Sequence, residues 1–538
     1  MNLRKSPGIS EIALGDLLDG SESSLEKKDI LQNKIAGAAV LAMVVIFSIL
    51  RLVSLDADFP GGITHSSALY SDEGWYNKPA ISLQTAGTWH IKDDFDQAIN
   101  LPGLSVVQAV MFTLFGMSLC TARLTISLFF FGMLASLFFF LRMYSSGRAA
   151  LIAITLISTN FVLFAYSRLA LLEIPMLSLV SAAVLFAGLY SMKRKNTYLF
   201  LSILAFSWAI LTKTTATFAI VVITYVLSWR AYENNKMDLS YFVKIVALYC
   251  FGAALLVMGY YGYILLKYRS DFVQFYFLVF GKKTTALGRL LPTLRNLIEE
   301  TIYFQLVLYP ITILTGLYLL IFKRACENKR VLIAFFGWTV IYLIQLSTIH
   351  YHPPRYFLPV VVSLSVCAAC ILDQLIINAK EKASGILLII FLACAINSVA
   401  ANCRKDVSYL IHPNYSFSTM CREVRERMKS SQGEARPLLL GNFANTISLA
   451  TGIPSINECD AAITLDERVQ RFLPTHYVTL GPVEKEIAAT LLRHYNEVRP
   501  AGKWDCFDNY IDGQPVFLWE LIRSPATAGG HARGKRQE

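Results

Sequence analysis

Two adjacent carboxylates, Asp72 and Glu73, lie in the stretch Ser71-Asp72-Glu73-Gly74-Trp75-Tyr76, just beyond the first long apolar segment of the chain. Neighbouring residues on a regular element point in different directions, so one carboxylate can face a substrate while the other binds backbone or a basic partner. A carboxylate next to a hydroxyl acceptor can act as its general base. The alternative is ordinary helix capping, with Ser71 as the N-cap and both acids in the first turn.

Three later positions add charges to apolar surroundings. Arg168 and Glu173 are the only charged residues in the stretch 149–192, and ionisable groups in such a stretch are costly unless they are paired or functional. Two interpretations are open: an ion pair across a turn, or an arginine that binds a phosphate through two hydrogen bonds. Lys213, in Leu211-Thr212-Lys213, ends another apolar segment, where a lysine can bind an anion or simply extend to the membrane interface.

The run His350 to Pro359 concentrates imidazoles, an arginine and rigid prolines between two apolar segments. Two histidines without a third ligand are weak grounds for a metal site. We therefore interpret His352, Arg355 and Tyr356 as residues that bind an anion or a sugar.

An acidic cluster, Asp93, Asp94 and Asp96, lies in the first polar loop. It has the oxygen ligands that a divalent cation prefers, but a solvated loop is the favoured interpretation. The sequence therefore predicts no cofactor and assigns no metal.

The elements that position these residues are membrane helices. Of 538 residues 55% are hydrophobic and 16% charged, and the mean hydropathy is +0.48, which is typical of a polytopic membrane protein and excludes a soluble globular chain. In such a protein a net charge of +11 indicates cytoplasmic loops and phospholipid headgroups. We expect no nucleic-acid partner.

Apolar segments predict about eleven transmembrane helices. The predicted spans are 35–55, 122–141, 149–166, 176–192, 198–212, 216–229, 242–266, 303–322, 331–349, 356–375 and 385–401. Residues 101–117 are helical in character but short, and leaving them outside the membrane places the Lys and Arg residues of five consecutive alternate loops on the cytoplasmic side. The loop 267–302 is then external yet basic: it either binds headgroups or attracts an anionic lipid substrate.

The domain organisation follows from these spans. We expect residues 1–33 to form a cytoplasmic disordered tail without a signal peptide and residues 34–401 to form the transmembrane domain, whose first external loop, 56–121, would carry juxtamembrane helices. Residues 402–523 alternate strand and helix patterns and predict a soluble extracytoplasmic α/β domain, and we expect residues 524–538 to form a disordered tail. The strands are predicted at 436–441, 476–481 and 516–522 and the helices at 445–451, 465–472 and 483–495.

The order of these motifs resembles the GT-C superfamily of glycosyltransferases that use lipid-phosphate sugars, in particular the bacterial branch related to protein O-mannosyltransferases and the lipid A aminoarabinose transferase. The resemblance covers roughly residues 35–375 and is carried by Asp72-Glu73, Leu114-Phe115-Gly116, Arg168 followed by Glu173 and Pro175, Leu211-Thr212-Lys213, and Arg355-Tyr356-Phe357-Leu358-Pro359. The chain departs from the family pattern at two places. Asn100-Leu101-Pro102-Gly103 replaces a Lys-Pro-Pro-like element, and Thr214 replaces a glycine.

The resemblance implies transfer of a sugar, with inversion, from a polyprenyl-phosphate carrier to a hydroxyl of a lipid, protein or glycan at the outer face of a bacterial inner membrane. It implies that Asp72 accepts the acceptor proton, that Glu73 orients the loop or the sugar, and that Glu173 fixes Arg168. Three basic residues would hold the phosphate and stabilise the negative charge that develops on it: Arg168, Lys213 and Arg355.

Two other functions compete with this one. A transporter or flippase of lipid-linked sugars would share the spans and the basic residues, but it would place charges near the bilayer midplane within internal repeats, and the sequence shows neither. A non-catalytic scaffold that presents the C-terminal domain to a partner is the second alternative.

Overall fold

The computed structural model describes residues 37–38, 40–61, 63, 68–94, 101–233, 236–269, 307–322, 328–348, 353–430, 436–458, 463–506 and 514–523. The predictions for both tails, for most of the loop 267–302 and for His350, Tyr351 and His352 fall outside these residues.

Helices make up most of the described chain, and we number them in chain order. They are α1 Val40–Leu50, α2 Ala68–Tyr76, α3 Lys78–Ala86, α4 Pro102–Phe115, α5 Leu119–Tyr144, α6 Gly147–Ser158, α7 Phe161–Tyr166, α8 Glu173–Lys193, α9 Asn196–Thr212, α10 Ala219–Ala231, α11 Leu239–Lys267, α12 Leu308–Phe322, α13 Lys329–Leu346, α14 Leu358–Ile377, α15 Lys382–Ile411, α16 Ser416–Ser430, α17 Ala444–Thr451, α18 Leu465–Phe472 and α19 Lys485–His494. Short 3₁₀ turns at Thr214–Phe218 and Pro354–Phe357 precede α10 and α14.

Side-chain caps explain several of the helix starts. Ser118, Ser146 and Asn160 each accept a hydrogen bond from a backbone N–H in the first turn of α5, α6 and α7. Such caps satisfy backbone donors that have no partner within the helix. They let neighbouring helices begin after very short connections.

The helices coincide with the predicted spans. Among the described residues six helices are long and apolar enough to cross a membrane, and shorter apolar helices cover the other predicted spans. The number of helices that cross the bilayer stays a prediction. So does the non-spanning position of α4, which packs against α3, α5 and α9.

Two helices lie at the centre of the bundle. α14 is buried along almost its whole length between α6, α12, α13 and α15, and α8 packs against α5, α9 and α10. Both helices begin at the same end of the bundle, which faces the C-terminal part of the chain through α2 and α3. Glu173 and Arg355 therefore lie near the first residues of these two helices.

The C-terminal part contains a five-stranded mixed sheet. Its strands are β3 Leu439–Gly441, β4 Ser455–Ile456, β5 His476–Leu480, β6 Glu497–Trp504 and β7 Val516–Ile522, in the order β4-β3-β5-β7-β6. The β3 strand pairs in parallel with β4 and β5, whereas β7 is antiparallel to β5 and β6. A two-residue hairpin, β1 Tyr232–Glu233 and β2 Lys236–Met237, follows α10.

The predicted α/β character of this region is confirmed, with strands and helices at the predicted places. Three elements, α16, β4 and β6, were not predicted from the sequence. The predicted boundary at residue 402 falls within α15, which runs from Lys382 to Ile411, and the domain limits stay a prediction.

Candidate active site

Asp72 is buried on α2 and pairs with an arginine from a distant part of the chain. Nη2 of Arg355 lies 2.7 Å from Oδ2 of Asp72. Ser71 is not an N-cap, because α2 begins at Ala68 and Ser71 lies within it. The capping interpretation of this stretch is therefore wrong, and Asp72 is a helix-interior carboxylate held by a cation.

Two further residues extend this pair into what we call the charge cluster: Asp72, Glu173, Lys213 and Arg355. Nζ of Lys213 lies 2.6 Å from Oε1 of Glu173, and Nε of Arg355 lies 3.2 Å from the same oxygen. All four residues are buried. With two carboxylates and two cations the cluster is formally neutral, which allows its burial.

The local sequence places three of these residues at helix ends. Glu173 is the first residue of α8, where the partial positive charge of the helix terminus favours a carboxylate. Lys213 follows the last residue of α9 and has extended backbone angles, φ −154° and ψ 123°. Arg355 lies in the 3₁₀ turn after Pro353, and prolines at 353, 354 and 359 restrict the backbone on both sides.

Burial and charge act in opposite directions on Asp72. Burial raises the pKa of its carboxyl above the ordinary value, and the adjacent Arg355 partly opposes that increase. A carboxylate with a raised pKa is a stronger base than an exposed aspartate.

Two tyrosines lie against the charge cluster. Nζ of Lys213 lies 3.8 Å from the ring centroid of Tyr356, a cation–π contact. Burial and the nearby carboxylate of Asp72 raise the pKa of Tyr76 well above its usual value, so Tyr76 stays a neutral phenol. The sequence analysis did not select Tyr76, although a spacing of four residues from Asp72 on one helix would have indicated it.

Glu73 points away from the charge cluster. Its carboxylate accepts hydrogen bonds from Nε and Nη2 of Arg123 over 2.8 and 2.6 Å and from the backbone N–H of Ala170 over 2.8 Å. The prediction that the two adjacent carboxylates diverge, one of them toward a basic partner, is confirmed. The partner, Arg123, was missed, although it is an isolated charge in the apolar segment of α5.

Arg168 also lies apart from the charge cluster. Its guanidinium donates to the backbone carbonyls of Leu50, Arg51 and Ser54, at the end of α1. Glu173 pairs with Lys213 and Arg355 instead, so the predicted contact between Arg168 and Glu173 is wrong. The physical reason is that unpaired carbonyls at the end of a buried helix compete for the same donors.

Asp93 and Asp94 of the acidic loop cluster pair with basic residues, and Asp96 lies outside the described residues. Asp94 lies 3.0 Å from Nζ of Lys78 and accepts the backbone N–H of Asn457, and Asp93 pairs with Arg471. Within the described residues no group of three His, Cys, Asp or Glu side chains could hold a metal ion. That the protein works without a metal stays a prediction.

Comparison with known proteins agrees with this architecture. Residues 99–257 match the family described as dolichyl-phosphate-mannose-protein mannosyltransferase. The structure of ArnT from Cupriavidus metallidurans bound to undecaprenyl phosphate aligns with a TM-score of 0.61 and 15% identity over 90% of this chain and 98% of that one. The chain has the GT-C glycosyltransferase fold. The apo structure of the same ArnT gives a TM-score of 0.59 at 13% identity, also over 90% and 98% of the two chains.

Two weaker results complete the comparison. The apo oligosaccharyltransferase of Archaeoglobus fulgidus aligns with a TM-score of 0.49 at 11% identity, over 82% of this chain and 69% of that one. No curated protein matches the chain in sequence.

The family match and the ArnT alignments confirm the resemblance and the fold class predicted from the sequence, a multi-pass GT-C membrane protein with a C-terminal α/β region. The family match and the GT-C fold also confirm the predicted enzyme class, a glycosyltransferase. The family match includes Arg123, Arg168, Glu173 and Lys213 but neither Asp72 nor Arg355. The roles of the individual site residues are therefore proposals.

Proposed function

We propose that this protein moves a sugar from a polyprenyl-phosphate carrier to a hydroxyl acceptor at the outer face of a bacterial inner membrane, with inversion at the anomeric carbon. The charge cluster carries this proposal, because one buried arginine, Arg355, joins the candidate base Asp72 to the Glu173–Lys213 pair. The family match and the undecaprenyl phosphate bound to ArnT support a lipid phosphate as the anion.

Lys213 and Arg355 are the proposed phosphate-binding residues. Both cations lie at the same end of the bundle, and both are held by carboxylates in this structure. A phosphate is a strong acceptor for guanidinium and ammonium donors. When the donor binds, Arg355 exchanges Asp72 for a phosphate oxygen.

That exchange would also release the base. Asp72 takes the proton of the acceptor hydroxyl while the acceptor oxygen bonds to the anomeric carbon. The bond between that carbon and the phosphate oxygen breaks, and its electron pair stays on the phosphate. Attack opposite the leaving group inverts the anomeric carbon. The two cations stabilise the charge that grows on the phosphate, so the departing group needs no proton from an acid.

Glu73 and Arg168 are proposed to hold the helices and loops around the charge cluster in place and not to bind substrate. Glu73 fastens α2 to α5 through Arg123, and Arg168 fastens the end of α1 to the loop before α8. Tyr356 packs on Lys213 and would line the same phosphate site. The predicted sugar contact of His352 lies outside the described residues and stays a prediction.

The first test measures binding and transfer separately. Purified protein in nanodiscs is titrated with undecaprenyl phosphate and followed by native mass spectrometry. We expect Arg355→Ala to weaken binding by about 10- to 100-fold, since a charge-assisted contact contributes about 1.5–3 kcal/mol, whereas Asp72→Asn retains binding. Arg148→Ala is the control, because Arg148 pairs with Asp373 near the opposite end of α14, about 27 Å from Arg355 at 1.5 Å per residue.

The second test reads the product. Envelope glycolipids and glycoproteins are compared by mass spectrometry in cells with the gene, without it and with Asp72→Asn. We expect one sugar-modified product to disappear in both the deletion and the variant. An unchanged product in cells carrying Asp72→Asn would overturn the enzymatic proposal and favour the transporter or scaffold alternative.

A further inference from the structure

Thr446, on α17 of the C-terminal part, contacts the helix that carries Asp72. The backbone N–H of Gly74 donates to Oγ1 of Thr446 over 2.8 Å, and the Thr446 hydroxyl donates to the backbone carbonyl of Tyr70. Residues 70 and 74 are the acceptor and donor positions of one i to i−4 helical hydrogen bond. The hydroxyl of Thr446 therefore lies between the N–H donor of Gly74 and the carbonyl acceptor of Tyr70. Asp72 is midway between these two residues in the helix.

Gly74 is what allows this approach. A Cβ atom at Gly74 would lie 2.1 Å from the backbone nitrogen of Thr446 and 2.3 Å from the carbonyl carbon of Asn445. Backbone atoms cannot move aside as a flexible side chain can. The two helices are consequently in backbone contact at the residue two positions beyond Asp72.

A second anchor fastens the next helix to the same region. Nζ of Lys78, on α3, lies 2.5 Å from the carbonyl oxygen of Ser455 and 3.0 Å from Asp94. Asn457 and Ser455 both bond to Asn445, the residue before Thr446. The strand β4 and the helix α17 thus hold α2 and α3 together.

Two parts of the protein hold α2 in place. On the membrane side Glu73 is fixed by Arg123, and on the C-terminal side the ladder around Asp72 is bridged by Thr446. A hydroxyl inserted into a helical ladder changes the local backbone geometry. The orientation of Asp72 toward Arg355 therefore depends on a residue from the C-terminal domain.

We propose that Thr446 is a positioning residue for Asp72 and that the C-terminal domain is part of the catalytic apparatus. The proposal rests on the function proposed above, in which Asp72 is the base. A domain that only selects the acceptor or covers the site would not have this role. If the proposal holds, loss of the Thr446 hydroxyl should impair Asp72 as a base and leave carrier binding intact.

The test uses Thr446→Val, which removes the hydroxyl at nearly constant volume, and Thr446→Ser, which keeps it. Thr451→Val is the matched control, because Thr451 is a buried residue of the same helix whose hydroxyl donates to the carbonyl of Ile447 and accepts from the backbone N–H of Ile453, both in the C-terminal part. Each full-length variant in nanodiscs is examined by hydrogen–deuterium exchange over residues 68–76 and by titration with undecaprenyl phosphate. Product is measured in cells as above, at several values of pH.

For Thr446→Val we expect at least tenfold faster exchange over residues 68–76 and carrier binding within twofold of wild type. Product formation should fall about 10- to 100-fold, the effect of a displacement of about 1 Å in a catalytic group. In the profile of product formation against pH, the pH at which activity is lost on acidification should differ from that of the wild type. Thr446→Ser and Thr451→Val should resemble the wild type. Wild-type exchange and product in Thr446→Val would overturn the proposal.

Gly74→Ala keeps the test decisive if Thr446→Val does not fold, because it disturbs the same contact without altering the C-terminal domain. It should reproduce the loss of product, and wild-type product in Gly74→Ala would overturn the positioning role. The proposed transfer with Asp72 as its base is tested separately. It fails if the Asp72→Asn variant is active, whatever the Thr446 variants do.

Discussion

Glu73→Gln separates a structural role of the second carboxylate from a catalytic one. Glu73 is fully buried and accepts three hydrogen bonds, two from Arg123 and one from Ala170. Arg123 donates two more to the carbonyls of Leu55 and Ala57. The pair therefore joins α2, α5, the chain after α1 and the loop before α8.

The expected magnitude follows from that geometry. Glu73→Ala leaves a buried guanidinium without its counter-charge, which costs about 3–5 kcal/mol of the free energy of unfolding. Glu73→Gln also removes the counter-charge, but it keeps one acceptor oxygen for the guanidinium. It should therefore cost less than Glu73→Ala and at least one charge-assisted hydrogen bond, about 1.5–3 kcal/mol. The double variant Glu73→Ala with Arg123→Ala should lose less than the sum of the single variants, because each single substitution leaves an uncompensated partner.

The assay is unfolding in mixed detergent micelles, followed by tryptophan fluorescence and repeated for each variant of the cycle. Arg499→Ala is the control, because its pair with Glu520 is exposed on the sheet and should leave unfolding almost unchanged. Product formation by Glu73→Gln should fall in proportion to the folded protein. A variant that unfolds like the wild type yet forms no product would refute this reasoning and make Glu73 a catalytic residue.

Three further outcomes are expected. Burial raises the pKa of Asp72, and the base must be ionised to act. Transfer should therefore be lost as the pH falls, at a pH above the pKa of about 3.9 of an ordinary aspartate. A profile of rate against pH in which activity is lost only below that value would contradict this. In Arg355→Ala this loss should occur at higher pH, because the cation that opposes the increase is gone. Arg168→Ala should lower the melting temperature and leave the affinity for undecaprenyl phosphate within twofold, since Arg168 binds carbonyls; a loss comparable to that of Lys213→Ala in the same titration would restore its predicted role in phosphate binding.

Much of the fold could be predicted from the chain alone. Hydropathy and the distribution of Lys and Arg are properties of short segments, so the helices and the polar ends of α8, α9 and α14 could be predicted without knowledge of their neighbours. The divergence of Asp72 and Glu73 follows from backbone geometry, which is also local. The expectation of one shared site rested on the position of the charged residues at one end of the predicted bundle. It holds for Asp72, Glu173, Lys213 and Arg355 but not for Glu73 and Arg168, which bind other partners.

The partner of each charge was decided only by the tertiary structure. A sequence shows that a charge in an apolar stretch needs a partner, but several partners are chemically equivalent. Packing assigned Glu73 to Arg123, Glu173 to Lys213 and Arg168 to the carbonyls at the end of α1. The contact between Gly74 and Thr446 joins residues 372 positions apart, and no local pattern encodes it, because close backbone approach depends on how two distant helices meet.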